Sequence, residues 1–151
     1  MTDRFQTRNI LAARVMGIAG LIPFYTFALL AWHDALRGGA LTAVVSYAAV
    51  ILSFLGAVHW GRALARLESR NHIGTLAFGV VPALLGWVAL LLPEEFSLPM
   101  LTAGLVFVWG TEQMMFFDVL PSWYRHLRHL LTAGSVLALM IAWAAAMMPM
   151  F

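Results

Sequence analysis

The sequence contains no cysteine. That excludes disulfides and thiolate metal sites, and it leaves the redox compartment undetermined. Lysine is missing too, so all nine basic residues are arginine. Charge of either sign is scarce, with DEKR at 11% where a soluble domain carries ~25%. Hydrophobic residues make up 62%. A chain this poor in charge cannot cover a water-facing surface, whereas a bilayer accommodates it because its interior is itself apolar. There is no Ser/Gln/Glu-rich or repetitive stretch, no Gly-rich phosphate loop, no His-Glu-x-x-His and no convincing nucleophile with a partner. The net charge of +2 and pI near 9.7 superficially fit nucleic acid. The arginines, however, lie in short loops between apolar runs, where topology signals sit.

What is present is five apolar runs: Val15 to Trp32, Leu41 to Trp60, Thr75 to Leu92, Leu98 to Phe117 and Leu131 to Met150. At ~1.5 Å rise per residue each reaches roughly 27–30 Å, the thickness of a bilayer core. No soluble domain fits between them. The expected fold is therefore all-α: residues 1–151 as one integral membrane bundle of five transmembrane helices. The first run follows three arginines, as a signal peptide would, but it is longer than an h-region and ends without a small-x-small site, so it reads as a retained helix. With five spans, Arg4, Arg8, Arg14, Arg62, Arg66, Arg70, Arg125 and Arg128 fall on one side, and Arg37 alone on the other. The positive-inside rule then places the N-terminus in the cytoplasm and the C-terminus outside, as in a multi-pass protein. Pro23 and Pro82 should kink spans one and three. Ala49, Ser53, Ala57 and Gly61 recur every four residues, a small-residue stripe that permits close helix approach. Trp123, Leu127, Leu130 and Leu131 share one apolar face. Following Pro121, they predict a short interfacial helix before the fifth span, with its arginines in water.

Ionisable residues inside a span cost ~2.5–3.5 kcal/mol each at the centre on insertion scales, so each needs an explanation. His59 in span two and Glu112 in span four are the two candidates. Counted from the span ends, both sit at similar depth in the cytoplasmic leaflet. Trp60, Arg62, Trp109, Gln113, Asp118, Trp123, Tyr124, Arg125 and Arg128 gather at the same level. The plain readings are a structural pairing of Glu112 with Arg62 or His59, arginines as topology determinants and headgroup contacts, and tryptophans as interfacial anchors. Taken together, acid, imidazole, guanidinium and indole at one depth fit the lining of a pocket for a polar-headed ligand. His126 and His129, at i and i+3, could add a metal site with His59 or Glu112, although a solvated interfacial helix explains them more simply. A transmembrane b-type haem would want more histidines inside spans than His59.

The segments Ser53-Phe-Leu-Gly-Ala-Val-His59-Trp60-Gly61 and Pro121-Ser-Trp123-Tyr124-Arg125-x-x-Arg128-x-x-Leu-Thr132 resemble a domain-of-unknown-function family of small membrane proteins. Its members occur in proteobacteria and in mitochondria, and include transmembrane protein 69. The resemblance implies a bacterial inner (plasma) membrane location for this multi-pass chain, and no assigned activity or catalytic residues. The functional expectation is thus a non-catalytic membrane protein that binds a lipid, a quinone-like ligand or a membrane-complex partner through the polar cluster, as an assembly or accessory factor. The alternative is a membrane enzyme or proton-coupled carrier in which Glu112 and His59 exchange protons. A homo-oligomer fits either reading. No cofactor is specified, and no nucleic acid is expected as a partner.

Overall fold

The computed structural model describes residues 2–64, 73–116 and 121–149. Among these every regular element is α-helical. In chain order they are α1 (Thr2–Ala19), α2 (Leu21–Leu30), α3 (Arg37–Leu64), α4 (Ile73–Ala89), α5 (Glu94–Phe116) and α6 (Ser122–Ala146). Three stretches are long and apolar enough to cross a bilayer: Thr7–Leu30, Arg37–Gly61 and Ser122–Ala146. The shorter apolar helix Gly74–Ala89 accompanies them. α5 has the length at 23 residues, but it carries Glu94, Glu95 and Glu112, which lower its hydropathy.

The break between α1 and α2 follows from Pro23. A proline has no N–H and its ring clashes with the carbonyl four residues back, here Ala19, the last residue of α1. The chain therefore turns at Gly20, where the Tyr47 hydroxyl on α3 donates to the Gly20 carbonyl at 2.9 Å. The acceptor that loses its donor to Pro23 is the Ala19 carbonyl; the Tyr47 bond one residue later fixes the break against the neighbouring helix. α4 by contrast stays helical through Pro82, which is fully buried.

α3 is the central helix, touching α2, α4, α5 and α6. Its inward residues Val44, Ala48 and Leu52 meet Ala28 of α2, Leu101 and Val108 of α5, and Ala138 and Ala142 of α6 in one buried cluster. Much of that cluster is alanine. In lipid the hydrophobic drive between helices is weak, and association relies on close van der Waals approach, which small side chains permit. The outer faces carry the large apolar residues: Met16, Phe54, Leu84, Trp87 and Met140 are all exposed. This is the inverse of a soluble bundle and suits an acyl-chain solvent.

Two sequence expectations are corrected here. The close-approach stripe on α3 is Ala49, Ser53, Gly56 and Trp60, not Ala49, Ser53, Ala57 and Gly61. Ala57 and Gly61 are exposed, while a Cβ added at Gly56 would collide with the backbone carbonyl of Gly79 on α4. A stripe at strict four-residue spacing drifts around a 3.6-residue helix, and the true contact line takes one step of three. The short interfacial helix is also absent. Residues 122–146 form one continuous α6, because nothing between Leu127 and Thr132 breaks a helix and Pro121 caps its start from outside.

Candidate functional site

α3, α5 and α6 each bring one ionisable side chain to a common point. Glu112 on α5 presents both carboxylate oxygens. Oε2 accepts from Nε of Arg128 on α6 at 2.6 Å, and Oε1 accepts from its Nη2 at 3.2 Å. Nε2 of His59 on α3 lies 3.2 Å from the same Oε1. All three side chains are buried, with relative exposures of 0% for His59, 3% for Glu112 and 6% for Arg128. The two-pronged guanidinium–carboxylate contact is the strong form of ion pair, fixing direction as well as distance. His59 is held from its other side by Phe78 of α4, edge to face with ring centroids 5.0 Å apart. Four helices are thus tied at one point.

The structure brings His59 and Glu112 together, as their matched depth implied. The cation that joins them is Arg128. The sequence puts Arg128 at the depth of this cluster, yet its place on an expected interfacial helix points it into water and leaves Arg62 or His59 as the expected partner of Glu112. The side chain of Arg62 lies outside the described residues. A signal for Arg128 was available: Arg128, Thr132 and Ser135 fall at i, i+4 and i+7, a polar line on one face of an otherwise apolar helix, and all three are buried. The line through Leu127, Leu130 and Leu131 draws the eye first as the apolar face, and Leu130 on it is exposed.

The other expected residues divide. Trp60 is not part of the cluster: its indole donates across to the Leu76 carbonyl of α4 at 2.8 Å. Trp109 donates to Nδ1 of His129 at 2.8 Å, clasping α5 to α6 beside the ion pair. Gln113 is half-buried, and its amide nitrogen is enclosed without a hydrogen-bond partner among the described residues. Trp123 and Tyr124 form an edge-to-face pair at the start of α6 with centroids 5.8 Å apart. Arg125 is half-buried on the same turn. Asp118 lies outside the described residues. His126 sets its Nδ1 against the Ser122 carbonyl at 2.8 Å. Among the described residues no group of three His, Asp or Glu side chains is placed to hold a metal ion.

Beside the ion pair is a chamber of about 400 Å³ between α1–α2, α3 and α6. Arg128, Thr132 and Ser135 supply its polar side, Trp123 and Tyr124 close one end, and the remainder of the wall is apolar. Its size falls in the ~300–1,000 Å³ range of small-molecule sites, and few polar groups in an apolar wall is their usual make-up. Sequence reasoning did not find this chamber, since it arises from the Gly17–Gly20 region of α1 passing α6. A second depression of about 520 Å³ between α5 and α6 is lined by Val106, Phe107, Met140 and Trp143, among others, and holds no ionisable group.

A buried ion triad in a bundle with an apolar exterior defines a polytopic membrane protein with a polar interior site. Residues 10–149 match DUF3429, a family described as proteins of unknown function, and the chain belongs to that family. It is 34% identical over 134 residues to "Transmembrane protein 69" of Xenopus tropicalis, covering 84% of this chain and 51% of that protein. The chain thus spans about half the length of this curated relative. No solved structure matches it.

Proposed function

We propose that this protein is a non-catalytic membrane protein that binds an amphiphile, a lipid or a quinone-like molecule, in the chamber between α1–α2, α3 and α6. The observation that carries this reading is the double duty of Arg128. One side chain completes the buried Glu112 pair and lines the apolar chamber. A cation held rigidly by its own counter-ion, at the wall of a cavity of ligand size, is a preorganised hydrogen-bond donor. Ligand loading read out by a larger membrane complex fits an assembly or accessory role.

The finer topology belongs to the same proposal: five crossings, N-terminus cytoplasmic, in a bacterial inner membrane. Two clusters of side-chain ties at opposite ends of the helices support it. At one end Arg37 bonds Asp34 and the Met148 carbonyl, and Trp143 bonds the Glu95 carbonyl. At the other lie His59, Glu112 and Arg128. Alternating passes put the helix ends in that arrangement, and eight of nine arginines then share one side.

Native mass spectrometry of the protein extracted gently from its own membrane tests the ligand reading. A discrete amphiphile mass is expected on the native chain and absent from Leu131→Trp, which puts a bulkier ring into the chamber beside Arg128 and Thr132. A bare chain, or the same adduct on both proteins, overturns it. The 3.2 Å approach of His59 to Glu112 favours one competitor, proton exchange in a carrier or enzyme. pH-dependent flux or turnover in liposomes, abolished by Glu112→Gln, would establish that reading instead.

A further inference from the structure

Resting on the amphiphile-binding reading, we infer that the chamber selects an uncharged headgroup that accepts hydrogen bonds, such as a quinone or ester carbonyl, over an anionic phospholipid. The argument starts from charge. Arg128 is the cation in the chamber wall, and Glu112 already neutralises it through two hydrogen bonds. An anionic head approaching Arg128 would meet a carboxylate directly behind the guanidinium, in a medium of low dielectric where repulsion is poorly screened. It would also carry its own desolvation cost without a free counter-charge. A neutral acceptor meets neither obstacle.

Donor geometry supports the same class. A guanidinium has five N–H groups in a planar fork, and Glu112 occupies the Nε edge with Nη2. The remaining donors point away from the carboxylate, and the side chain forms part of the chamber wall. The other polar groups on that wall from α6 are the hydroxyls of Thr132 and Ser135. Ser135 gives its hydrogen to the Leu131 carbonyl at 2.8 Å, so its oxygen faces a ligand only as an acceptor. The polar side therefore offers strong donation at Arg128 and neutral groups one and two turns deeper. That suits one small head with one or two carbonyl oxygens. The wall beyond is apolar, and its rim residues Met16 and Phe54 are exposed on the outer faces of α1 and α3. A tail can leave there into the acyl chains without crossing a polar layer.

The test uses the full chain in nanodiscs of zwitterionic lipid. The probes are a decyl-substituted benzoquinone, dioleoylglycerol and dioleoylphosphatidylglycerol, followed by quenching or shift of Trp123 emission. Trp123→Phe identifies the Trp123 component. The quinone and the diacylglycerol should compete for one site, with affinities unchanged between roughly 0.05 and 0.5 M salt, a range over which screening alters exposed charge pairs. Thr132→Val, which leaves the ion pair intact, should weaken both by about threefold, the worth of one hydrogen bond. Glu112→Gln, which frees the guanidinium, should reverse the preference toward phosphatidylglycerol. Tighter, salt-sensitive binding of phosphatidylglycerol by the native chain overturns this inference and leaves the amphiphile-binding reading standing. Binding of none of the three overturns both. Should Glu112→Gln not fold, the native-chain preference and the Thr132→Val loss decide alone: equal affinity of Thr132→Val and native for the neutral probes overturns the proposal.

Discussion

At the scale of single residues, Glu112 is a buried carboxylate held from two sides. It sits between two basic groups from two other helices at 2.6 and 3.2 Å. Removing one partner of a buried pair leaves an uncompensated charge, so Glu112→Ala and Arg128→Ala should each destabilise the fold by ~3–5 kcal/mol. Replacing both by apolar residues of similar volume, Glu112→Met with Arg128→Met, should cost less than either single change, because no charge remains buried. Equilibrium unfolding in detergent micelles measures all three variants. A double-variant loss equal to the sum of the singles would show that the two side chains do not act as a pair. Tyr47→Phe should lose ~0.6–1.7 kcal/mol in the same assay, the range of hydrogen bonds between membrane helices, since it frees the Gly20 carbonyl at the α1–α2 break.

At the scale of elements, the α3–α4 contact is set by glycine. A Cβ at Gly56 would strike the carbonyl of Gly79, which is backbone and cannot swing aside. At Gly79 the first obstacle is the exposed Trp60 ring, held by one bond to Leu76, and the Gly56 carbonyl follows at 2.9 Å, a milder backbone clash than the one at Gly56. Gly56→Ala should therefore lower thermal stability more than Gly79→Ala. Gly110 in α5 has open space where its Cβ would be, and Gly110→Ala should raise stability by up to about 1 kcal/mol through helix propensity alone. These three melting curves order the glycines by mechanism. Elements were also what the sequence revealed most directly. Hydrophobic run length located α3, α4 and α5 to within a few residues, because bilayer thickness imposes a length that composition shows at once; three of the described stretches are long and apolar enough to cross. The Pro23 interruption was legible for the same local reason. Which way each helix faces was not. His59 and Glu112 were found because an ionisable residue in a span demands an explanation on its own. Arg128 near a helix start looked like an ordinary headgroup contact, and only the rotation of α6 against α5 turns it inward. The chamber is a product of three-helix geometry and leaves no mark in any one segment.

At the scale of the whole molecule, the cysteine-free chain is ready for topology mapping. Single cysteines can be introduced without removing any native one. With five crossings and the N-terminus inside, a membrane-impermeant maleimide should label Ala35→Cys in intact cells. Asn9→Cys should react only in inside-out vesicles. Labelling of both from one side would contradict a first crossing by α1–α2.

The carboxylate of α5 and the guanidinium of α6 also bear on how the protein is made. Each charge alone burdens its helix, by up to ~2.5–3.5 kcal/mol at the bilayer centre, and the two-pronged contact between them relieves both. The last two helices therefore gain from leaving the translocon as a hairpin rather than one at a time. A nascent chain that stops short of Ser122 holds an acid with no arginine to meet it. Quality control at the membrane has in that acid a chemical mark of an unfinished product.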